Sequence, residues 1–310
     1  MIAKLYSVMF HHFHDEVHLP AQGSLTASQL RDMIDWLDKN YSLIGANEYL
    51  QKFKNNILQD YEVCLSFDDA LKCQYDIAFP ILEEYKLDAF FFIYSSAFID
   101  NSNLLEIYTY FRINTISNID NFYKKFFQIV ENDNPLRYSK HFLNFNDLNY
   151  LSSFPFYSEN DKWFRYLRDI YLTQMQYHQV MVYLMNENNF DMALAKKILF
   201  MSEEDVKDID KKGHTIGLHS FSHPTKMSKL NMHQQEIEYQ KNYKHLSKLI
   251  GKPIKTMSHP CGSYNKDTLS ILSKLNIDIG FRSSLSPNNV RSSLEIPRED
   301  QANIFKEMNK

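Results

Sequence analysis

Val63-Cys64-Leu65-Ser66-Phe67-Asp68-Asp69-Ala70 is a short apolar run that ends in two consecutive carboxylates. Such a run reads as a buried strand, and parallel-sheet proteins carry their chemistry at the C-terminal edge of their strands. A second segment has the same form: His214-Thr215-Ile216-Gly217-Leu218 empties into His219-Ser220-Phe221-Ser222-His223-Pro224. Its two histidines stand four apart, so a helical turn or tight loop sends both imidazoles to one side, where they can share an ion. Asp69 would add a hard oxygen ligand. Two imidazoles and a carboxylate leave positions open for water and substrate, as in a catalytic zinc site, and Asp68 stays available as a base. Each piece alone has a plainer reading, as a turn-forming Asp pair or a satisfied polar histidine. Their combination points to a hydrolytic metalloenzyme.

Outward from these segments, strand and helix alternate. Ala3 to Phe10 reads as a first strand emptying into a histidine-rich loop, and Thr26-Ala27-Ser28-Gln29 as a capping box starting a helix with the stripe Leu30, Met33, Ile34 and Leu37. Further short apolar runs are Tyr41 to Ile44, Ala89 to Tyr94, Lys255 to Ser258 and Asp278 to Phe281. Helical stretches such as Cys73 to Tyr85 and Met232 to Ile250 separate them, so the pattern predicts an α/β fold with a mostly parallel sheet.

Ser66-Phe67-Asp68-Asp69-Ala70 resembles the Thr-Phe-Asp-Asp-Gly motif of the polysaccharide deacetylases, carbohydrate esterase family four, and His219-Ser-Phe-Ser-His223-Pro224 is similar to their His-Ser/Thr-x-x-His-Pro motif. Ser258-His259-Pro260-Cys261-Gly262-Ser263-Tyr264-Asn265 is similar to their Pro-Tyr-Gly-Ser-Tyr-Asn stretch, which lines the substrate groove. The resemblance implies a distorted (β/α) barrel with fewer than eight repeats, formed by residues 1–100 and 200–310. It lapses over 101–199, which reads as a helical insertion. There Asp161 to Leu184 carries Trp163, Tyr166, Leu167, Ile170, Tyr171, Gln174 and Met175 at helical spacing. Packing of a small core is the plainer account of these residues, and a wall beside a sugar-binding groove the sharper one.

The resemblance further implies that Asp69, His219 and His223 hold Zn2+ or another divalent transition metal, that Asp68 is the base, and that water activated by the metal attacks an N-acetyl or other N-acyl group of an amino sugar. It places the oxyanion-binding N–H at Cys261, where relatives have Tyr, with Pro260, Gly262 and Tyr264 beside the substrate. The chain departs from the family pattern in three places. No histidine follows His259, so the acid of the usual Leu-x-His motif is missing, and His11 or His259 is left to protonate the leaving amine, with His11 favoured; His12, His14 and His18 read as a solvated loop. The usual third-motif Arg is replaced by Met257 or Ser258, while Ile296-Pro297-Arg298 resembles a subgroup in which the Arg comes from there, so Arg298 is expected to reach Asp68. Ala70 stands where Gly is usual. These departures keep a carbohydrate-binding pseudoenzyme as the alternative. An iron oxygenase using the same ligand set is a more distant one.

At 310 residues and 44% apolar content the chain can fill one core and a subdomain. A net charge of −4 without basic blocks argues against nucleic acid as partner. The N-terminal stretch reads as neither signal peptide nor membrane span, and three cysteines, Cys64, Cys73 and Cys261, suit a reducing compartment. A cytoplasmic protein acting on a precursor of a surface polysaccharide, lipid-linked, nucleotide-linked or free, is therefore expected, in a homo-oligomer if not alone.

Overall fold

The computed structural model describes residues 4–21, 23–99, 105–116, 118–147, 150–151, 157–285 and 289–310. They divide into two compact units, Met1–Asn103 with Lys196–Lys310, and Leu104–Ala195.

Among the described residues, the first unit holds eight strands: β1 Ser7–Phe10, β2 Ser42–Leu43, β3 Glu62–Asp68, β4 Phe90–Ile93, β5 Thr215–Leu218, β6 Thr256–Ser258, β7 Ile279–Phe281 and β8 Glu299–Asp300. Their order is β7-β6-β5-β4-β3-β1-β8, with β2 beside β3, and every pairing is parallel. The sheet curls into the distorted (β/α) barrel expected from the motifs. Its ends are joined by one segment. Ile296 bridges to Phe281 and donates its N–H to the carbonyl of Gly280, and three residues on, Glu299 and Asp300 pair with Val8 and Met9 of β1. Residues 296–300 thus hydrogen-bond to both edges of the sheet. β8, with two residues, was too short to show as a periodic run.

The strands are buried on both faces, which is why they read as continuous apolar runs. Phe67 stacks on Phe10 at 5.1 Å and on Phe91 at 4.8 Å between ring centroids, tying β1, β3 and β4 on one face. Phe90 and Phe92 turn the other way and pack with Tyr49, Phe281 and Ile296. The helix Ala27–Asn40 forms as its sequence predicts, with the Thr26/Gln29 capping box and Leu30, Met33, Ile34 and Leu37 buried. The first strand starts at Ser7, later than expected; Ala3 lies outside the described residues, as does residue 101. Among the described residues, no helix is long and apolar enough to cross a membrane.

The second unit is helical and its core is aromatic: Phe111, Phe122, Phe126, Trp163, Phe164 and Tyr177 are buried. The long stripe expected from Asp161 to Leu184 is not one helix. Helix Glu159–Tyr166 loosens into a π-helical turn, Leu167–Tyr171, and a new helix, Gln174–Glu187, begins at a Thr173/Gln176 capping box. The break changes the phase of the stripe, so Trp163, Tyr166, Leu167 and Tyr171 are buried while Ile170 and Met175 face solvent.

Gly217 in β5 is required by close approach: a Cβ there would stand 2.5 Å from the Phe92 ring and 2.5 Å from Thr256 Oγ1. Gly217→Ala is expected to cost about 1–3 kcal/mol through overpacking, read as a lower urea midpoint at unchanged slope.

Candidate metal centre

Three strand ends and the closing segment build this site. β3 ends at Asp68, and Asp69 extends the ladder by one bond, its N–H donating to Phe92 O at 3.2 Å. The chain then turns through left-handed conformations at Asp69 (φ 80°) and Ala70 (φ 54°). β5 delivers His219, whose N–H is shared between Ile93 O and the buried Asn242 side chain. The loop that follows is no helix. Ser220 and His223 are both left-handed, at φ 63° and 52°, and Glu238 holds the loop from below by accepting the N–H groups of Phe221 and Ser222. The four-residue spacing of the histidines was legible, whereas the strained turn that makes them converge was not.

Asp69, His219 and His223 offer ligand atoms that all lie within 4.8 Å of one another, and all three residues are buried. His219 Nδ1 is 2.9 Å from Ser258 O, which can only accept, so this nitrogen carries the proton in the imidazole tautomer, whose lone pair is at Nε2. That lone pair faces Asp69 Oδ1 at 3.3 Å, and His223 Nε2 faces the same oxygen at 3.2 Å. Asp69 Oδ1 is buried and has no hydrogen-bond partner. In His219 an acceptor is directed at an acceptor, which a cation between them reconciles, so the donor set fits a divalent metal with imidazole and carboxylate preferences, such as zinc.

Asp68 points to a different partner. Arg298 grips it with both arms, Nη1 to Oδ1 at 2.8 Å and Nη2 to Oδ2 at 2.6 Å, and the guanidinium is fully buried. Its remaining hydrogens are taken by Arg282 O, Ser66 Oγ and Ser258 Oγ, so every N–H of the side chain is used. Ser258 Oγ in turn donates to Asp68 Oδ2 at 3.1 Å. Burial raises the Asp68 carboxyl, and the charge of Arg298 more than reverses this, so the group is held ionised below its ordinary value.

His11 follows β1, is about one-third exposed, and has Nε2 3.9 Å from Asp69 Oδ2. His259 is differently placed. It is wholly buried, its ring stacks on Tyr264 at 4.2 Å, and its Nε2 bonds to Leu294 O at 2.8 Å. Burial pushes its pKa down to about 4, so at neutral pH it is an uncharged donor to a carbonyl. Pro260, Cys261 and Gly262 form a single tight turn, with Cys261 exposed and left-handed at φ 51°; Tyr264 donates its hydroxyl to the buried Glu295. Of the histidines expected in a solvated loop, His18 is instead buried, with Nε2 2.9 Å from Asp76 Oδ2, and His14 bonds Ser24.

Several site residues carried no sequence signal. Gln74, buried in the π-helical turn Gln74–Ala78, donates to the carbonyls of His11 and Asp68 and so ties the exits of β1 and β3 together. Asn242 likewise joins β4 to β5, donating to Ile93 O and Ser95 Oγ while accepting from His219. Only the amphipathic pattern of its helix, with a polar residue on the buried face, could have pointed to it.

A polysaccharide deacetylase family model matches residues 161–280, which include the histidine pair and the third motif but begin after Asp68 and Asp69. The match starts inside the stretch over which the motifs alone gave no resemblance. No curated protein matches the chain. Among solved structures, the de-N-acetylase from Aggregatibacter actinomycetemcomitans is 15% identical, with 98% of each chain covered and a TM-score of 0.57. IcaB from Ammonifex degensii is 12% identical, with 98% of this chain and 97% of that chain covered and a TM-score of 0.57. The Streptococcus pyogenes deacetylase PplD, solved with acetate, is 14% identical, with 96% and 92% covered and a TM-score of 0.54. At these identities the likeness is one of fold.

Two substitutions test the geometry. Ala70 is left-handed and fully buried, so Ala70→Gly should relieve strain and gain about 0.5–1 kcal/mol, measured by chemical denaturation. Arg298→Met should cost about 3–5 kcal/mol at neutral pH by leaving the Asp68 charge buried and unpaired. The Asp68 pKa is lower folded than unfolded, so in the wild type this stability is present above about pH 4 and lost as pH falls through the folded value. In Arg298→Met, burial alone raises that pKa, and lowering the pH should narrow the gap between the variant and the wild type in urea melts.

Proposed function

We propose that this chain is a member of the polysaccharide deacetylase superfamily that hydrolyses an N-acyl group, acetyl in the first instance, from an amino sugar of a surface polysaccharide or its precursor, a reading supported by the family-model match and the likeness of fold. The observation that carries the proposal is the convergence of two imidazoles on an orphaned carboxylate oxygen, next to a second carboxylate held ionised by an arginine.

Asp69, His219 and His223 would hold the cation, which when bound supplies Lewis-acid activation of water and of the acyl carbonyl. Asp68 takes the proton as water adds to the carbonyl carbon, and Arg298 and Ser258 keep that carboxylate ionised and oriented. The N–H of Cys261 is assigned to the developing oxyanion, with Pro260, Gly262 and Tyr264 shaping that wall. Collapse of the tetrahedral carbon breaks the C–N bond, and the amine departs only if protonated. His11 is assigned as the acid, being partly exposed and beside the ligand cluster, whereas His259 spends its Nε2 on Leu294 O and is neutral. The products are a free amine and a carboxylate.

Cys64 and Cys73 are buried free thiols, which supports a reducing compartment and with it a cytoplasmic precursor as substrate. The helical unit, as an insertion in the barrel, is assigned to substrate selection.

With zinc loaded, the wild type should release acetate from at least one member of a panel of N-acetylated oligosaccharides, lipid-linked sugars and sugar nucleotides. Asp68→Asn should lose about 10²–10⁴-fold in kcat while keeping one metal per chain by elemental analysis, and His219→Ala should lose the metal itself. Stoichiometric metal with no release from any substrate would sink the hydrolase reading in favour of a binding protein.

A further inference from the structure

Outside the candidate metal centre, the helical unit gathers three arginines, one of them buried, around two aspartates. Helix Leu105–Asn114 carries Arg112, helix Glu159–Tyr166 carries Arg165, and the turn Leu167–Tyr171 carries Arg168; the last two are three apart on one continuous helical stretch and share a face. Arg112 is 8% exposed, with its guanidinium 4.6 Å from the Phe164 ring and 5.7 Å from that of Phe122. The guanidinium of Arg168 lies 6.0 Å from the same Phe164 ring, and that of Arg165 lies 4.1 Å from the ring of Tyr157. Arg165 Nε is buried and has no hydrogen-bond partner. The three charges act on one another: burial lowers the Arg112 pKa, and Arg165 and Arg168 add to the effect.

The carboxylates nearby accept hydrogen bonds from other groups. Asp169 takes Arg168 through two contacts, at 2.8 and 3.1 Å, and the Tyr150 hydroxyl. Asp161 takes the Tyr123 hydroxyl and Ser158. Among the described residues no carboxylate pairs with Arg112 or Arg165. Aromatic faces recover only part of the cost of a buried, unpaired guanidinium. Three arginines against Asp161 and Asp169 leave one surplus positive charge, and forked guanidinium donors match the oxygens of a phosphate.

We propose that Arg112, Arg165 and Arg168 form a binding site for a phosphate-type anion, either free or carried by a glycosyl donor. The proposal does not rest on the deacetylase reading, since binding is measured without turnover.

The test is calorimetric titration of the full chain, at constant ionic strength, with inorganic phosphate, pyrophosphate and a nucleoside diphosphate sugar, with chloride as the control. One-to-one saturable binding is expected, weakened about tenfold or more in Arg165→Gln by loss of a charge-assisted fork. Tighter binding of the sugar nucleotide assigns the site to a phosphorylated glycosyl carrier, and tighter binding of inorganic phosphate to the free ion. Arg112→Met reads the same site through thermal unfolding: without phosphate it should melt at or above the wild-type temperature, and the phosphate-dependent rise should vanish. Absence of saturable binding, unchanged affinity in Arg165→Gln, or an Arg112→Met protein that melts lower yet keeps the phosphate effect would each overturn the assignment.

Discussion

The buried ion pair between Arg298 and Asp68 is the constraint on which the rest of the site depends. Removing two charges from water costs several kcal/mol per ion, and the Coulombic gain offsets this only with near-complete hydrogen bonding. Arg298 meets that condition by placing all its N–H groups on Asp68, Ser66, Ser258 and Arg282, with the rings of Phe92 and Phe281 flanking it. The same contacts organise the barrel. Ser66 is on β3, Ser258 on β6 and Arg282 just after β7, so one guanidinium fixes the relative positions of three strand ends. Ser258 extends the constraint to the metal ligands, because its carbonyl sets the tautomer of His219 while its hydroxyl touches Asp68.

Around this pair the backbone is held in conformations that L-residues avoid. Asp69, Ala70, Ser220, His223 and Cys261 all have positive φ, and all lie in the motif loops. Strain of this kind persists only where neighbours over-determine it. Here the neighbours are polar side chains reaching up from helices and turns below: Gln74 under the exits of β1 and β3, Asn242 between β4 and β5, and Glu238 under the histidine loop.

The sequence made some of this legible for a physical reason. Apolar runs and capping boxes are local, so the strands around Asp68 and His219 and the helix from Ala27 could be read directly. The clustering of Asp69, His219 and His223 was legible because ligand chemistry restricts residue types and spacing. Gln74, Asn242 and Glu238 were not, because a hydrogen bond from a side chain to a distant strand end leaves no periodicity. Arg298 was visible only through a family resemblance, and β8 not at all, since a two-residue strand carries no pattern. In the helical unit the stripe misled at Ile170 and Met175 because the chain restarts its helix at Thr173, and a cap of Thr and Gln inside an apolar stripe was the signal that outweighed the stripe.

The segment that closes the barrel also sets the order in which the molecule can become native. Arg298 lies 230 residues from Asp68, so their contact is among the most non-local in the chain and carries a large loop-closure entropy. Any partly folded form that has assembled β3 to β7 without residues 296–300 contains a carboxylate in an apolar surrounding with no counter-ion. Such a form gains by staying open to water or by taking up a proton, and either penalises it relative to the complete barrel. The late arrival of one arginine therefore makes folding of the sheet more cooperative than its short strands alone would.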